Sequence, residues 1–152
     1  MNFFVDLFTN KIFLAPAAAW LIAQLLKIII DTVKYGFKTE RLYGEGGMPS
    51  AHAAMMSALV VITGLVYGGK SFEFVMALAC GVIVAYDARG VRFETQRQGR
   101  ALNNLNEERV EKGKQPLDII KFKEKIGHTL SELIVGSLIG VGSGIIVHFL
   151  PI

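Results

Sequence analysis

The sequence predicts an all-α integral membrane bundle of about four transmembrane helices, with a long polar connection carrying one or two amphipathic helices. Three observations predict it. The first is composition: of 152 residues, 52% are hydrophobic and 19% charged, and mean hydropathy is +0.44. An ordinary soluble domain carries about 25% charged residues, and a disordered chain cannot hold such an apolar load. The second is distribution. Residues 12–30 contain one charge, Lys27, and residues 51–69, 74–86 and 133–152 contain none. At about 1.5 Å per residue these runs cross most or all of a hydrocarbon core of roughly 30 Å. Helices of a soluble bundle would show a polar stripe at a 3.6-residue period, and residues 53–67 and 133–150 show only Ser, Thr, Gly and a late His as relief. The third is charge asymmetry, taken up below.

In chain order, the first eleven residues carry Asp6 rather than a basic cluster and read as a short interfacial segment, not a cleaved signal. Span one covers residues 12–30, with Trp20 well inside it. A polar connection, 31–50, leads to span two at 51–69. A few residues around Lys70 lead to span three at 72–88, where Cys80 reads as a small apolar filler. The next connection, 89–129, is too long for a bare loop. Within it, residues 93–112 mix charge with Ala101, Leu102, Leu105 and Val110 and predict a surface helix, which Gly113-Lys114-Gln115-Pro116 breaks. Residues 117–126 then alternate Leu, Ile and Phe with Lys and predict an amphipathic helix in the headgroup layer. Span four covers 131–150. The whole chain, 1–152, reads as one domain.

The 16 Lys and Arg against 13 Asp and Glu leave a net charge of +3, too mild to argue for nucleic acid. Their placement is not mild. Thirteen basic residues fall on connections 31–50 and 89–129, which share one side, and only Lys11 and Lys70 fall on the other. The positive-inside rule places both polar connections in the cytoplasm of a multi-pass plasma-membrane protein, with both termini outside.

Ionisable residues collect at the span ends on that same side. They are Lys27, His52, Asp87, Arg89, Arg92, His128 and Glu132. Charged groups at membrane depth are costly and point to function. Gly46-Gly47-Met48-Pro49-Ser50-Ala51-His52 runs directly into an apolar helix. Ser50 suits a helix cap, the glycines allow close backbone approach, and N–H groups at a helix start bind anions, phosphate above all. His128 and Glu132 are four apart, on one helical face, so the carboxylate can hold Nδ1 and aim Nε2 outward as base or nucleophile. Arg89 and Arg92 offer forked donors for phosphate oxygens, and Asp87 can hold such an arginine. Two His and a Glu are also a zinc ligand set, but no His-Glu-x-x-His spacing is present and the surroundings are cationic. No metal and no cofactor are expected.

These three segments, Gly46 to His52, Tyr86-Asp87-Ala88-Arg89-Gly90-Val91-Arg92 and Gly127-His128-Thr129-Leu130-Ser131-Glu132, resemble those of the divergent PAP2 family. Its members are small membrane proteins related to type-2 phosphatidic acid phosphatases and vanadium-dependent haloperoxidases. The resemblance spans nearly the whole chain. It implies a lipid-phosphate phosphatase with a phosphohistidine intermediate. His128 would be the nucleophile, Glu132 its orienting carboxylate and His52 the general acid. Ser50 and the Ala51 amide would belong to the phosphate cradle, with Lys27, Gly47, Asp87, Arg89 and Arg92 as further candidates. Mainstream relatives carry Lys-x6-Arg-Pro, Pro-Ser-Gly-His and Ser-Arg-x5-His-x3-Asp. Here Ala51 replaces the Gly, Glu132 replaces the Asp, Lys121-Phe122 stands where Ser-Arg would be, and Lys34 to Arg41 has the first spacing but is followed by Leu42. A non-catalytic protein that binds a lipid phosphate headgroup or scaffolds a partner is the rival expectation.

Gly136, Gly140 and Gly144 form small-x-x-x-small steps in span four and predict close helix packing, against Ala53, Ala54, Ser57 and Ala58 of span two or against a second copy in a homodimer. The bilayer and a lipid phosphate are the remaining expected partners.

Overall fold

The computed structural model describes residues 2–36, 46–123 and 126–151, and among them it is all-helical. In order, the elements are α1 (Phe3–Phe8), α2 (Lys11–Tyr35), α3 (Ala51–Tyr67), α4 (Phe72–Arg89), α5 (Val91–Glu111) and α6 (Leu130–Phe149). Three helices are long and apolar enough to cross a membrane, α2, α4 with its continuation α5, and α6; α3 is a shorter apolar helix of 17 residues. Its position accounts for the tolerance of that length. α3 packs against α2, α4 and α6 together, so much of its surface meets protein rather than lipid.

The bundle is small inside and large outside. Its main core is Ala15, Ala19 and Ala23 of α2, Ala51, Ala54, Ala58 and Ile62 of α3, and Val147 of α6. Trp20, Leu25 and Ile29 of α2, Val82 and Ile83 of α4, and Leu138 and Ile146 of α6 are exposed. Lipid tails solvate Leu and Ile as well as a protein core does, so such helices associate through close-packed small residues and turn their bulk outward. The α2 contact face repeats every fourth residue, Ala15, Ala19, Ala23, and its next member is Lys27. The alanine periodicity thus carries a lysine into the interior.

The α6 glycines occupy the α3 face. A Cβ on Gly136 would strike the Ser50 carbonyl, one on Gly140 the Ala54 carbonyl, and one on Gly144 would lie 2.9 Å from Val61 Cγ1. Backbone meets backbone along this seam, as it can only where no Cβ intervenes. Of the two partners expected for the glycines, the structure selects span two. The face is filled within one chain, so the close contact at Gly136, Gly140 and Gly144 needs no second copy.

α4 touches α3 through one narrow stripe. Phe74 lies against Gly64, Gly81 against Val60, and Ala77 and Ala88 are its buried residues. Cys80 is exposed on the outer side of α4 rather than filling the core.

The connection after α4 departs from expectation in one respect. The surface helix forms as α5, beginning two residues earlier, at Val91. Residues 114–123, however, form no helix. They run back along α5, and side-chain amides replace the missing helical bonds. Asn103 Nδ2 donates to the Phe122 carbonyl and Asn103 Oδ1 accepts from Phe122 N, both at 3.0 Å; Asn106 Oδ1 accepts from Leu117 N at 2.7 Å; Gln96 Oε1 accepts from Ile126 N and Gly127 N, both at 3.2 Å. Gln96, Gly99, Asn103 and Asn106 recur at helical spacing on one face of α5. Gly99 lets the strap close in, with Phe122 Cβ 3.0 Å from where a Cβ would be.

Candidate functional site

At one end of the bundle the start of α3, the end of α4, the start of α5 and the residues before α6 converge. Ala53, Ala88 and Leu133 pack together there, one from each of α3, α4 and α6. Above them lies a cavity of about 110 Å³ lined by His52, Val84, Asp87, Ala88, Arg92, Ile126 and His128. The His52 and His128 rings are 6.5 Å apart, centroid to centroid, at 58°.

His128 is placed by backbone and side chain alike. It stands one residue before Thr129, the N-cap of α6, and so lies just outside the helix rather than on a helical face with Glu132. Its N–H donates to the Ala88 carbonyl at 3.1 Å. Its Nδ1 lies 3.2 Å from Glu132 Oε2, which also accepts from Thr129 N at 2.9 Å. Thr129 Oγ1 in turn accepts from Glu132 N, completing a capping box. One carboxylate therefore starts the helix and holds the imidazole. An ionised carboxylate only accepts, so Nδ1 carries the proton and Nε2 is left as the basic nitrogen. His128 is 2% exposed. Gly127 lies so close to α5 that a Cβ would strike the Phe93 backbone.

His52 sits on the first turn of α3. Ser50 caps that helix as expected, its Oγ accepting from Ala53 N at 3.3 Å, and its own N–H donates to the Glu132 carbonyl at 3.1 Å. This last bond ties the starts of α3 and α6. Ser50 is fully buried and Ala51 is 3% exposed within the alanine core; neither lines the cavity that holds His52 and His128.

The two arginines separate. Arg92 lines the cavity, its Nε donating to Asp87 Oδ2 at 2.6 Å. Arg89 is turned away, its guanidinium carbon 4.7 Å above the Phe93 ring. Lys27 is 3% exposed. It lies beneath the glycine loop, where a Cβ on Gly47 would be 3.9 Å from Lys27 Cδ and 3.8 Å from Asp31 Oδ2. Glu132 and Gly47 line a second cavity, of about 240 Å³, with Phe93, Gln96, Arg100, Gly127 and Thr129.

Of the residues singled out from sequence, the structure thus brings His52, His128, Asp87 and Arg92 into one cavity. Glu132 stands behind His128. Gly47 and Lys27 lie on the Glu132 side, Ser50 and Ala51 beneath, and Arg89 apart. Lys34 is described at the end of α2, whereas Arg41 and Leu42 lie outside the described residues. Among the described residues no group of three His, Cys, Asp or Glu is arranged to hold a metal ion. Gln96, Arg100 and Ile126 were not foreseen. The signal for Gln96 was available in the amide face of α5.

The comparisons with known proteins agree with this architecture. No solved structure matches the chain significantly. The chain is 32% identical to the uncharacterized membrane protein YuiD of Bacillus subtilis (strain 168) over 151 residues, covering 90% of this chain and 93% of YuiD. The profile of the Divergent PAP2 family matches residues 8–143, a stretch that includes both histidines, the Asp87–Arg92 pair and Glu132. A helical membrane bundle with those groups at one end, matched over nearly its whole length, belongs to the Divergent PAP2 family.

Proposed function

We propose that this protein is a metal-independent lipid-phosphate phosphatase acting at the membrane surface. The observation that carries the reading is the shared cavity of His52, His128 and Arg92, with Glu132 behind His128. In this reading His128 Nε2 attacks phosphorus of a phosphomonoester or diphosphate headgroup. Attack is at the terminal phosphorus, whose bond to the bridging oxygen breaks; that oxygen leaves with the lipid alcohol of a monoester or with the lipid monophosphate of a diphosphate, and His52 gives its proton to it. Water, deprotonated by His52, then attacks the phosphohistidine, releasing inorganic phosphate and restoring His128. Splitting one displacement into two lowers each barrier. Fixed cations stabilise the transferring charge, and the guanidinium in position to do so is Arg92. It stands in for the Ser-Arg arginine that this sequence lacks at Phe122, with Asp87 holding its Nε. Arg89, stacked on Phe93, is the weaker candidate. Lys27 acts from the Glu132 side, as a charge balancing that carboxylate and Asp31, rather than as a direct phosphate ligand.

In this reading the whole chain works as one domain. The basic asymmetry supports a plasma-membrane orientation with the site facing the cytoplasm, so the headgroup arrives by lateral diffusion in the inner leaflet.

One observation favours a second reading, a headgroup-binding protein without catalysis. The Ser50 hydroxyl, a phosphate ligand in the mainstream motif, caps α3 and is fully buried. Purified protein in detergent, given phosphatidate, phosphatidylglycerophosphate and polyprenyl diphosphate with a chelator present, separates the two. Phosphate release that is lost in both His128→Ala and His52→Ala supports the phosphatase. Release that survives both substitutions overturns the mechanism, and binding without release supports the second reading.

A further inference from the structure

We propose that Gln96 is a positioning residue for His128, acting on the backbone that carries it; the kinetic part of this inference rests on the phosphatase reading. His128 lies outside α6, so no helical hydrogen-bonding pattern fixes the two residues before it. Their N–H groups converge on one atom. Gln96 Oε1 accepts from Ile126 N and from Gly127 N, both at 3.2 Å. Gln96 is 7% exposed, and Gly127 is buried.

The placement is specific. One residue further on, His128 N donates to the Ala88 carbonyl. Three consecutive amides are thus held by two helices, Ile126 and Gly127 by α5 and His128 by α4. The Gly127 contact with the Phe93 backbone presses the same segment onto α5. Glu132 then fixes the ring itself, through Nδ1. Gln96 also touches the surroundings of both cavities, one directly and one through the residue it holds. It lines the one on the Glu132 side, and the residue it holds, Ile126, lines the one that contains both histidines. Removing its oxygen leaves two N–H groups without their acceptor and frees the backbone that sets the height of the imidazole. A displacement of about 1 Å at a reacting group can cost about 100-fold in rate, while substrate held by Arg92 and the bilayer is bound as before.

Two readouts test this on the full-length protein in detergent. The chain has three histidines, His52, His128 and His148, so ¹⁵N-histidine NMR signals are assignable by single substitutions. In the wild type, His128 is expected as one tautomer protonated at Nδ1. Gln96→Leu, close in size but without an acceptor, is expected to give a tautomer mixture at His128 and leave His148 unchanged. Gln96→Glu, whose carboxylate oxygen can accept both N–H groups, is expected to restore the single tautomer. In the kinetic arm, with phosphatidate as substrate, Gln96→Leu is expected to lower kcat at least tenfold with KM within twofold, and Gln96→Glu to recover most of it. If the Leu variant does not fold, Gln96→Asn, one methylene short, carries the same test with a smaller loss. A wild-type His128 spectrum in the Leu or Asn variant overturns the proposal, as does a raised KM with unchanged kcat. If the wild type releases no phosphate from any lipid, the phosphatase reading fails, and the imidazole spectrum still decides the role of Gln96.

Discussion

His128 and Glu132 meet although the residue spacing alone misdescribes how. Four residues apart on a helix they would share a face; in fact His128 precedes the helix and Glu132 reaches back to it as part of the cap. The pairing was legible in sequence because both geometries use the same spacing. The sorting of the two arginines was not, because Arg89 and Arg92 differ only in what lies beside them, a phenylalanine ring for one and Asp87 for the other. Nor was the interior position of Ser50, which follows from the tight contact between α3 and α6. Two outcomes belong to this scale. His128→Ala is expected to lower kcat by about 1,000-fold or more on the lipid that the wild type hydrolyses best, with the headgroup still bound. Arg92→Lys keeps the charge but loses the planar fork, and is expected to raise KM about tenfold with a smaller fall in kcat; an unchanged KM would place the phosphate elsewhere.

The seam between α3 and α6 decides the geometry of the element that matters most. The apolar helices and their order were readable from uncharged runs, and the small-residue steps in α6 announced a close contact, since a Cβ at 136 or 140 would strike the α3 backbone and one at 144 the Val61 side chain. Which helix fills that contact was left open by the sequence, because an alanine face on span two and a second copy satisfy the same pattern. The helix expected over 117–126 does not form at 117–123 for a related reason: apolar and basic residues alternate there, but the backbone is hydrogen-bonded by Gln96, Asn103 and Asn106 from a helix lying 11 to 31 positions away in sequence, while 124 and 125 lie outside the described residues. Gly140→Leu drives a side chain into the Ala54 carbonyl. Overpacking of this kind costs about 1–3 kcal/mol or more, so a lower thermal midpoint in detergent is expected. Gly142, with nothing within 4 Å of a Cβ, is the control, and Gly142→Ala is expected not to lower the midpoint, since it meets no neighbour and Ala favours the helix over Gly.

At the scale of the molecule, three of the four helix ends that build the site are joined by backbone bonds between elements, Ser50 N to the Glu132 carbonyl and His128 N to the Ala88 carbonyl. These bonds hold the three helix ends together through backbone alone, independent of any side chain. The orientation proposed from the basic residues has a direct check. With Cys80 as the only native cysteine, Lys114→Cys in a Cys80→Ala background is expected to react with a membrane-impermeant maleimide only after cells are permeabilised. Reaction in intact cells would invert the leaflet assignment. The strap that ends at His128 has one more consequence. Its described side-chain ties to α5 at Gln96, Asn103 and Asn106 are neutral amides, whereas the Lys121–Glu107 pair beside them is exposed. At 1 M salt the screening length falls to about 3 Å. The ion pair should fade, while hydrogen exchange at Phe122 and Gly127 should not change. The backbone just before His128 should thus keep its place as ionic strength varies, because the Gln96 amide that holds Ile126 and Gly127 carries no charge to be screened.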